Sequence, residues 1–365
     1  MIVREPYYSF LALLRAGLWG AKPSFGNQLA PHEWEWIYRL ACMQTVEGIV
    51  YDGVMRLPAE CLPPAPLLIK WTARVDMLER RNSEMNGAVE ELDELFAANG
   101  LQPCLMKGQG LAACYANPLH RVCGDTDWYF TWADYQKANR LIAGMGVRVK
   151  RDTSSSSSYL WKGVQVEHHS RFIDLHNPFI QRHLGRLQTE EDELAGALRL
   201  QRRVVKLPSP LLMHVQVNTH ILKHMLAFGI GLRQLCDSAR VCYAYHDICE
   251  SKLEEVYGRA GILRWMQALH GLLITHLGLP PEYLPLSLPA SPDVDWMLEE
   301  VLRTGNFGFY DKRWCKAGGK PWVKRERMWQ QVAYRLWFNM PYAPMEAFWF
   351  PVMQTCSRIR KMIIR

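Results

Sequence analysis

Residues 106–130 read MKGQGLAACYANPLHRVCGDTDWYF, and a change of hydrophobic pattern inside this stretch sets the fold class. Before it, LALLRAGL, HEWEWIYRLACMQTVEGIVYDGVM and LLIKWTARVDMLERRNSEMNGAVEELDELFAANG repeat apolar residues at a period of roughly 3.6, which predicts helices across residues 6–98. Asn99-Gly100 closes the last of them with a good C-terminal cap. QPCLMKGQG is then a short apolar run broken by glycines, LAACYANP suits one or two helical turns, and DTDWYFTW carries aromatics that favour a strand. A helix is predicted from about Asp134 to Gly144. Beyond it lie GVRVKRD, the serine run 154–158, read as a mobile connection, and the strand-like runs YLWKGVQVEHH and RFIDLHNPF. Helical periodicity returns from about Glu190, clearest in SPLLMHVQVNTHILKHMLAFGIGLRQLCDSARVCYAYH, and prolines 280, 281, 285 and 289 mark a later loop. The pattern predicts an α+β fold, with a small mixed-sheet core at 101–185 embedded in a mostly helical chain. The flanks are an N-terminal helical region, 1–100, and a C-terminal helical region with a basic aromatic segment, 186–365.

A chain of 365 residues, 49% hydrophobic, can bury a large core, which excludes a disordered protein. The apolar N-terminus is interrupted by Arg4, Glu5 and Arg15 and reads as a core helix. No stretch approaches the roughly 18 consecutive apolar residues of a membrane span. Ten scattered cysteines, without a CxxC pair, suit a reducing compartment, and the expected location is the cytoplasm. The net charge of +7 is concentrated: residues 311–365 carry twelve Lys/Arg against Asp311, Glu326 and Glu346, a local excess of +9. Trp314, Trp322, Trp329, Trp337 and Trp349 are interleaved with those charges. Such a segment either solvates a helix face or holds a polyanion by phosphate contacts and stacking, and the solvated face is the commoner outcome.

The chemistry gathers around the quoted stretch. In a strand, Asp125 and Asp127 project to one face while Thr126 and Trp128 point to the other, and paired carboxylates share hard divalent cations. Lys107-Gly108, at the end of an apolar run, offers an ammonium and exposed amides to phosphate oxygens. Two downstream runs, both expected to pair antiparallel, offer a third carboxylate: Glu167 in Val166-Glu167-His168-His169, or Asp174 in Ile173-Asp174-Leu175-His176. Carboxylates converging on metal ions beside a glycine turn are what phosphoryl transfer requires. Without metal, such a site is expected to concentrate like charges. Alternation places His169, rather than His168, on the side of Glu167. His220 and His224, one helical turn apart, could share a metal but lack the following Glu of an HExxH pair and read as packed or phosphate-facing, while Arg233 with Asp237 reads as a helix-surface pair.

Lys107-Gly108, Tyr115, Pro118, Arg121, Gly124-Asp125-Thr126-Asp127 and Trp128-Tyr129-Phe130 together resemble the motif of the uncharacterised nucleotidyltransferase family of the polymerase-beta-like superfamily. Val166 to His169 resembles the family's later V-E-x-H strand, His220 to Asp237 its helical His and Arg-x-x-x-Asp stretch, and Gly305-Asn306-Phe307-Gly308 a late glycine motif. The resemblance implies a transferase that moves a nucleoside monophosphate from a triphosphate to an acceptor, releasing pyrophosphate. It implies Asp125, Asp127 and Glu167 as catalytic and metal-binding residues for Mg2+ or Mn2+, with Asp174 still open as the third carboxylate. Lys107, Gly108, Arg121 and Gly124 are the implied nucleotide-binding residues. The acceptor is open between a small molecule, a protein and RNA. One departure stands out: the wider superfamily has Gly-Ser before its acidic pair, whereas Gln109 follows Gly108 here, so the serine's phosphate contact is replaced or absent. The contrasting expectation is a noncatalytic scaffold that keeps a degenerate transferase core and binds nucleic acid or protein through its basic segment.

Overall fold

The computed structural model of the chain describes residues 5–24, 28–173, 175–289, 294–313 and 325–363. The chain divides into two compact units, Met1–Phe172 with Glu191–Met213, and Ile173–Glu190 with His214–Arg365.

The first unit opens with helices α1 (Glu5–Trp19), α2 (Pro31–Met43), α3 (Glu47–Val54) and α4 (Ala65–Ala98). The run HEWEW…DGVM, predicted as one helical stretch, is two helices because Thr45 between them takes a left-handed φ of 54°. α1 and α3 meet backbone to backbone. A Cβ on Gly17 would fall 1.8 Å from the Ile49 carbonyl oxygen, and one on Gly53 would fall 2.0 Å from that of Leu13. Phe10, Leu13, Leu14, Ile49 and Val50 fill the contact.

A five-stranded mixed sheet follows, built from β1 (Cys104–Met106), β2 (Thr126–Tyr129), β3 (Lys150–Arg151), β4 (Ser156–Trp161) and β5 (Val164–His169) in the order β1-β2-β5-β4-β3. Short helix α5 (Gly108–Ala112) lies between β1 and β2, and α6 (Trp132–Gly144) follows β2. β5 is antiparallel to β4 but parallel to β2, against the antiparallel expectation. The reason is the connection: β2 and β5 are joined by a crossover through α6 and the β3–β4 pair, not by a turn. YLWKGVQVEHH is a hairpin that turns at Lys162-Gly163, both at positive φ (46° and 84°), and pairs β4 with β5. The turn is tied to α4 by Arg81, which donates to the Gly163 carbonyl at 2.9 Å, and by the Lys162–Glu91 ion pair.

Two further expectations change. The serine run is not a loose connection, since Ser156–Ser158 begin β4 and the Ser157 hydroxyl donates to Asn139 Oδ1 of α6 at 2.8 Å. RFIDLHNPF forms no strand among its described residues, and Asp174 lies outside them. Phe172, Ile173 and Leu175 are buried, so the strand-like look of the run reflects burial rather than pairing. Within the segment expected to be helical, Gly196–Arg199 (β6) and Val204–Leu207 (β7) form a separate hairpin, anchored to α4 by Arg202–Glu90 and Arg203–Asp93.

The second unit is helical: α7 (Gln181–Glu191), α8 (Pro210–Ala227), α9 (Leu232–Ala244), α10 (Glu250–Arg259), α11 (Leu263–Thr275), α12 (Asp295–Thr304), α13 (Arg325–Asn339) and α14 (Pro344–Ile363), with the last residue of α7 and the first four of α8 in the first unit. Polar side chains tie its core together. Trp265 Nε1 donates to Asn339 Oδ1 at 2.9 Å, and the Glu346 carboxylate accepts the amides of His176 and Asn177, each at 2.8 Å. Part of the basic excess is consumed internally: Arg313 bridges Asp311 and Glu300, and Arg335 is buried beside Asp311. Lys316, Lys320, Lys324, Trp314 and Trp322 lie outside the described residues. Trp337 is 81% exposed. Among the described residues no helix is long and apolar enough to cross a membrane.

Candidate active site

The site is built on the face of the five-stranded sheet opposite its packed core. Trp128 and Phe130 set their rings edge-on against Phe96 of α4, at 5.5 and 5.1 Å between centroids. That burial fixes one face of β2, so Asp127 projects from the other. β5 alternates in the same way: Val164, Val166 and His168 are buried, while Glu167 and His169 are partly exposed. Register does the rest. Asp127 pairs with Glu167 and Tyr129 with His169 across the parallel ladder.

Four side chains thereby converge. His169 Nε2 lies 2.7 Å from Asp127 Oδ1 and 3.3 Å from Glu167 Oε2, and Lys107 Nζ lies 3.2 Å from the same Asp127 oxygen. One donor atom each from Asp127, Glu167 and His169 falls within 4.8 Å of the others. Two carboxylate oxygens and an imidazole nitrogen at that spacing fit a divalent cation by the chemistry of the donor set.

Lys107 reaches this place through a strained turn. It follows β1 directly with φ 46°, an uncommon conformation for any residue other than glycine, and Gly108 continues at φ 40°. A Cβ on Gly108 would sit 3.0 Å from the Asp125 carbonyl oxygen, so the turn presses against the chain that enters β2. Arg121 is buried and donates to the Gly108 carbonyl at 3.2 Å, bracing the turn from below. Gln109 faces away from the carboxylates: its amide donates to the Asn82 carbonyl and to Asn86 Oδ1 of α4, at 3.0 and 2.9 Å. Gln109 is thus a latch on α4. Gly124 is exposed and Asp125 half-buried immediately before β2.

The charges compensate one another, contrary to the expected concentration of like charges. Burial disfavours the Lys107 ammonium, but Asp127, Asp125 and Glu167 outweigh it and raise its pKa. Burial likewise opposes ionisation of Asp127, yet Lys107 and His169 hold its carboxyl well below the usual range. His169 is raised despite burial by its hydrogen bonds to Asp127 and Glu167. The adjacent His168 is the opposite case: burial, then the charge of His169, lowers it to about 3. Its Nδ1 donates to Asn139 Oδ1 at 2.9 Å and its Nε2 accepts from the Tyr159 hydroxyl at 2.8 Å, so it is a neutral core residue.

Of the residues singled out from sequence, the structure brings together Lys107, Asp127 and Glu167, with Asp125 acting on Lys107 through its charge. His169 had been placed on the correct face but not among the site residues; alternation along β5 was the signal for it.

A search of the solved structures finds a likeness to an antigenic nucleotidyltransferase-like protein from Paracoccidioides brasiliensis, at 13% identity over 56% of this chain and 93% of that one, with a TM-score of 0.32. No curated protein matches. Residues 30–276, more than half of the chain, match the family described as Uncharacterised nucleotidyltransferase, and the chain belongs to that family.

Proposed function

We propose that the protein is a metal-dependent nucleotidyltransferase that moves a nucleoside monophosphate from a triphosphate to an acceptor, with residues 101–185 as its catalytic core. The observation that carries this reading is the parallel register of Asp127 with Glu167, which sets two carboxylates beside the Lys107 ammonium on one face of the sheet. Asp125, Asp127 and Glu167 hold Mg2+ or Mn2+, which when bound polarises the transferring phosphoryl group and offsets charge on the departing pyrophosphate. Glu167 is preferred to Asp174 as the third carboxylate because its ladder partner is Asp127. Lys107 and the Gly108 amide contact the triphosphate, Arg121 holds their turn in place, and Gly124 leaves room for close approach of the nucleotide. The acceptor oxygen or nitrogen attacks the α-phosphorus, the bond to the β-phosphate oxygen breaks, and the acceptor's proton passes to Glu167, whose side chain is one-third exposed. The acceptor class is a small molecule, a protein or an RNA end.

The test incubates the full chain with each of the four labelled triphosphates and either cation, follows pyrophosphate release, and searches cell extract for nucleotidylated products by mass spectrometry. Metal-dependent release that disappears in Asp127→Asn is expected. Salt-sensitive nucleic-acid binding with no triphosphate affinity would instead establish the scaffold.

A further inference from the structure

We infer that His169 is itself a metal ligand through Nε2, and that this nitrogen makes the site select Mn2+ over Mg2+. The inference rests on the active-site reading above and deepens it by naming the cation.

Three observations carry it. Nε2 is the ring atom that faces both Asp127 Oδ1 and Glu167 Oε2, at 2.7 and 3.3 Å, so the nitrogen already points to the point where the carboxylate oxygens meet. β5 is paired on both sides, by β2 and β4, and the ladder is extended past His169 by Phe130 N donating to the His169 carbonyl and Ser170 N to that of Ser155, each at 2.9 Å. The backbone that bears the imidazole is therefore fixed from both flanks. The third observation concerns His168, which is committed to Tyr159 and Asn139 in the core, so the site's nitrogen comes from His169 alone among the two neighbours.

The selectivity follows from ligand chemistry. Mg2+ requires near-octahedral oxygen coordination and dehydrates reluctantly, whereas Mn2+ accepts imidazole and tolerates mixed donor sets. An all-carboxylate cluster has no reason to discriminate on this ground, but a cluster with one imidazole in three donors does. The competing role for His169 is that of a counter-ion: together with Lys107 it neutralises Asp127, and it touches no metal. The counter-ion keeps the Nε2 proton on Asp127, whereas a metal ligand releases that proton to solvent; both roles need the same ring placement, so a direct probe of the metal's neighbours separates them.

The experiment labels the full chain with 15N-histidine, loads it with Mn2+ alone, and records pulsed EPR for nitrogen coupled to the metal, beside calorimetric titrations with Mn2+ and with Mg2+. Directly bonded 15N coupling is expected in the parent and is expected to vanish in His169→Gln. The Mn2+ dissociation constant should lie at least about tenfold below that for Mg2+, and His169→Asp, which restores an all-oxygen set, should shrink the ratio to about threefold or less. Mn2+ bound at a single site with no nitrogen coupling overturns the inference and leaves the active-site reading standing. Binding of neither cation overturns both. A parent spectrum without coupling overturns the inference whether or not the variants fold, and coupling that persists in His169→Gln, from another of the twelve labelled histidines, overturns it too.

Discussion

Replacing Asp127 by Asn keeps the shape of the side chain and removes the charge that Lys107 and His169 both face. Catalysis should fall at least about a hundredfold, because the amide cannot hold a divalent cation in the carboxylate's place. Stability should fall as well, by about 1 to 3 kcal/mol, since two partly buried cations lose their shared counter-charge. Melting of Asp127→Asn and of Asp127→Asn/Lys107→Met measures this, and the second change is expected to restore part of the loss. A double variant that melts lower than the single one would show that Lys107 needs no counter-charge from Asp127. At this scale a two-residue period made the facing of Asp127 and of His169 legible, whereas Lys107 was read from the glycine turn after an apolar run and Glu167 stayed one of two candidates beside Asp174. The sequence was opaque for Arg121 and Gln109, whose partners, the Gly108 carbonyl and α4, are fixed only by the fold.

The helix pair α1–α3 supplies an element-scale test. Gly53→Ala would push a methyl group to 2.0 Å from the Leu13 carbonyl oxygen, and since the obstacle is backbone, the helices must part. A cost of about 1 to 3 kcal/mol is expected. Gly87→Ala in α4 meets nothing within 4 Å and should stabilise by about 0.5 to 1 kcal/mol through the reduced freedom of the unfolded chain. Chemical denaturation of the two variants should move the midpoint in opposite directions; equal shifts would mean that the crossing relaxes at no cost. Helices with strong periodicity were readable in advance, and α4 was bounded to within a residue or two by its cap. The β6–β7 hairpin and the parallel sense of β5 were not. Four-residue strands carry too few periods to stand out from helical surroundings, and strand direction is set by the length and path of the connection rather than by the residues of the strand.

For the whole molecule, buried histidines set the pH range of stability. Burial lowers His214 to about 4, and burial, then the charge of His214, lowers His270 to about 3. The unfolded chain binds those protons from about pH 6.5 downward, so this contribution is complete above that pH and is lost progressively as pH falls towards the folded values. His120 acts in the other direction. Burial opposes its charge, but hydrogen bonds to Asp52 and Glu79, each at 2.8 Å, raise its pKa. Its contribution is therefore present below about pH 6.5 and is lost as pH rises through the raised value. Thermal melts across pH should peak near about 6.5, and His120→Asn should flatten the alkaline limb while leaving the acid limb in place. A peak that stays put with an unchanged alkaline limb in that variant would remove His120 from the account. The coarse architecture, a small mixed sheet set in a helical chain, was visible from the sequence because periodicity switches there from helix to strand and back. The division into two units was not, since it depends on which distant segments, such as Glu191–Met213, return to the first one.

The pairing of Asp127 with Glu167 also makes the crossover between β2 and β5 a measuring device. Because side chains alternate, adding or deleting a single residue in a way that slides β5 by one position would turn Val166 and His168 outward and drive the Glu167 carboxylate towards Phe96 and Trp128. The chain has only one frame in which its hydrophobic interior and its acidic rim are both complete, so insertions in this crossover should be tolerated in turns and excluded from the strand itself.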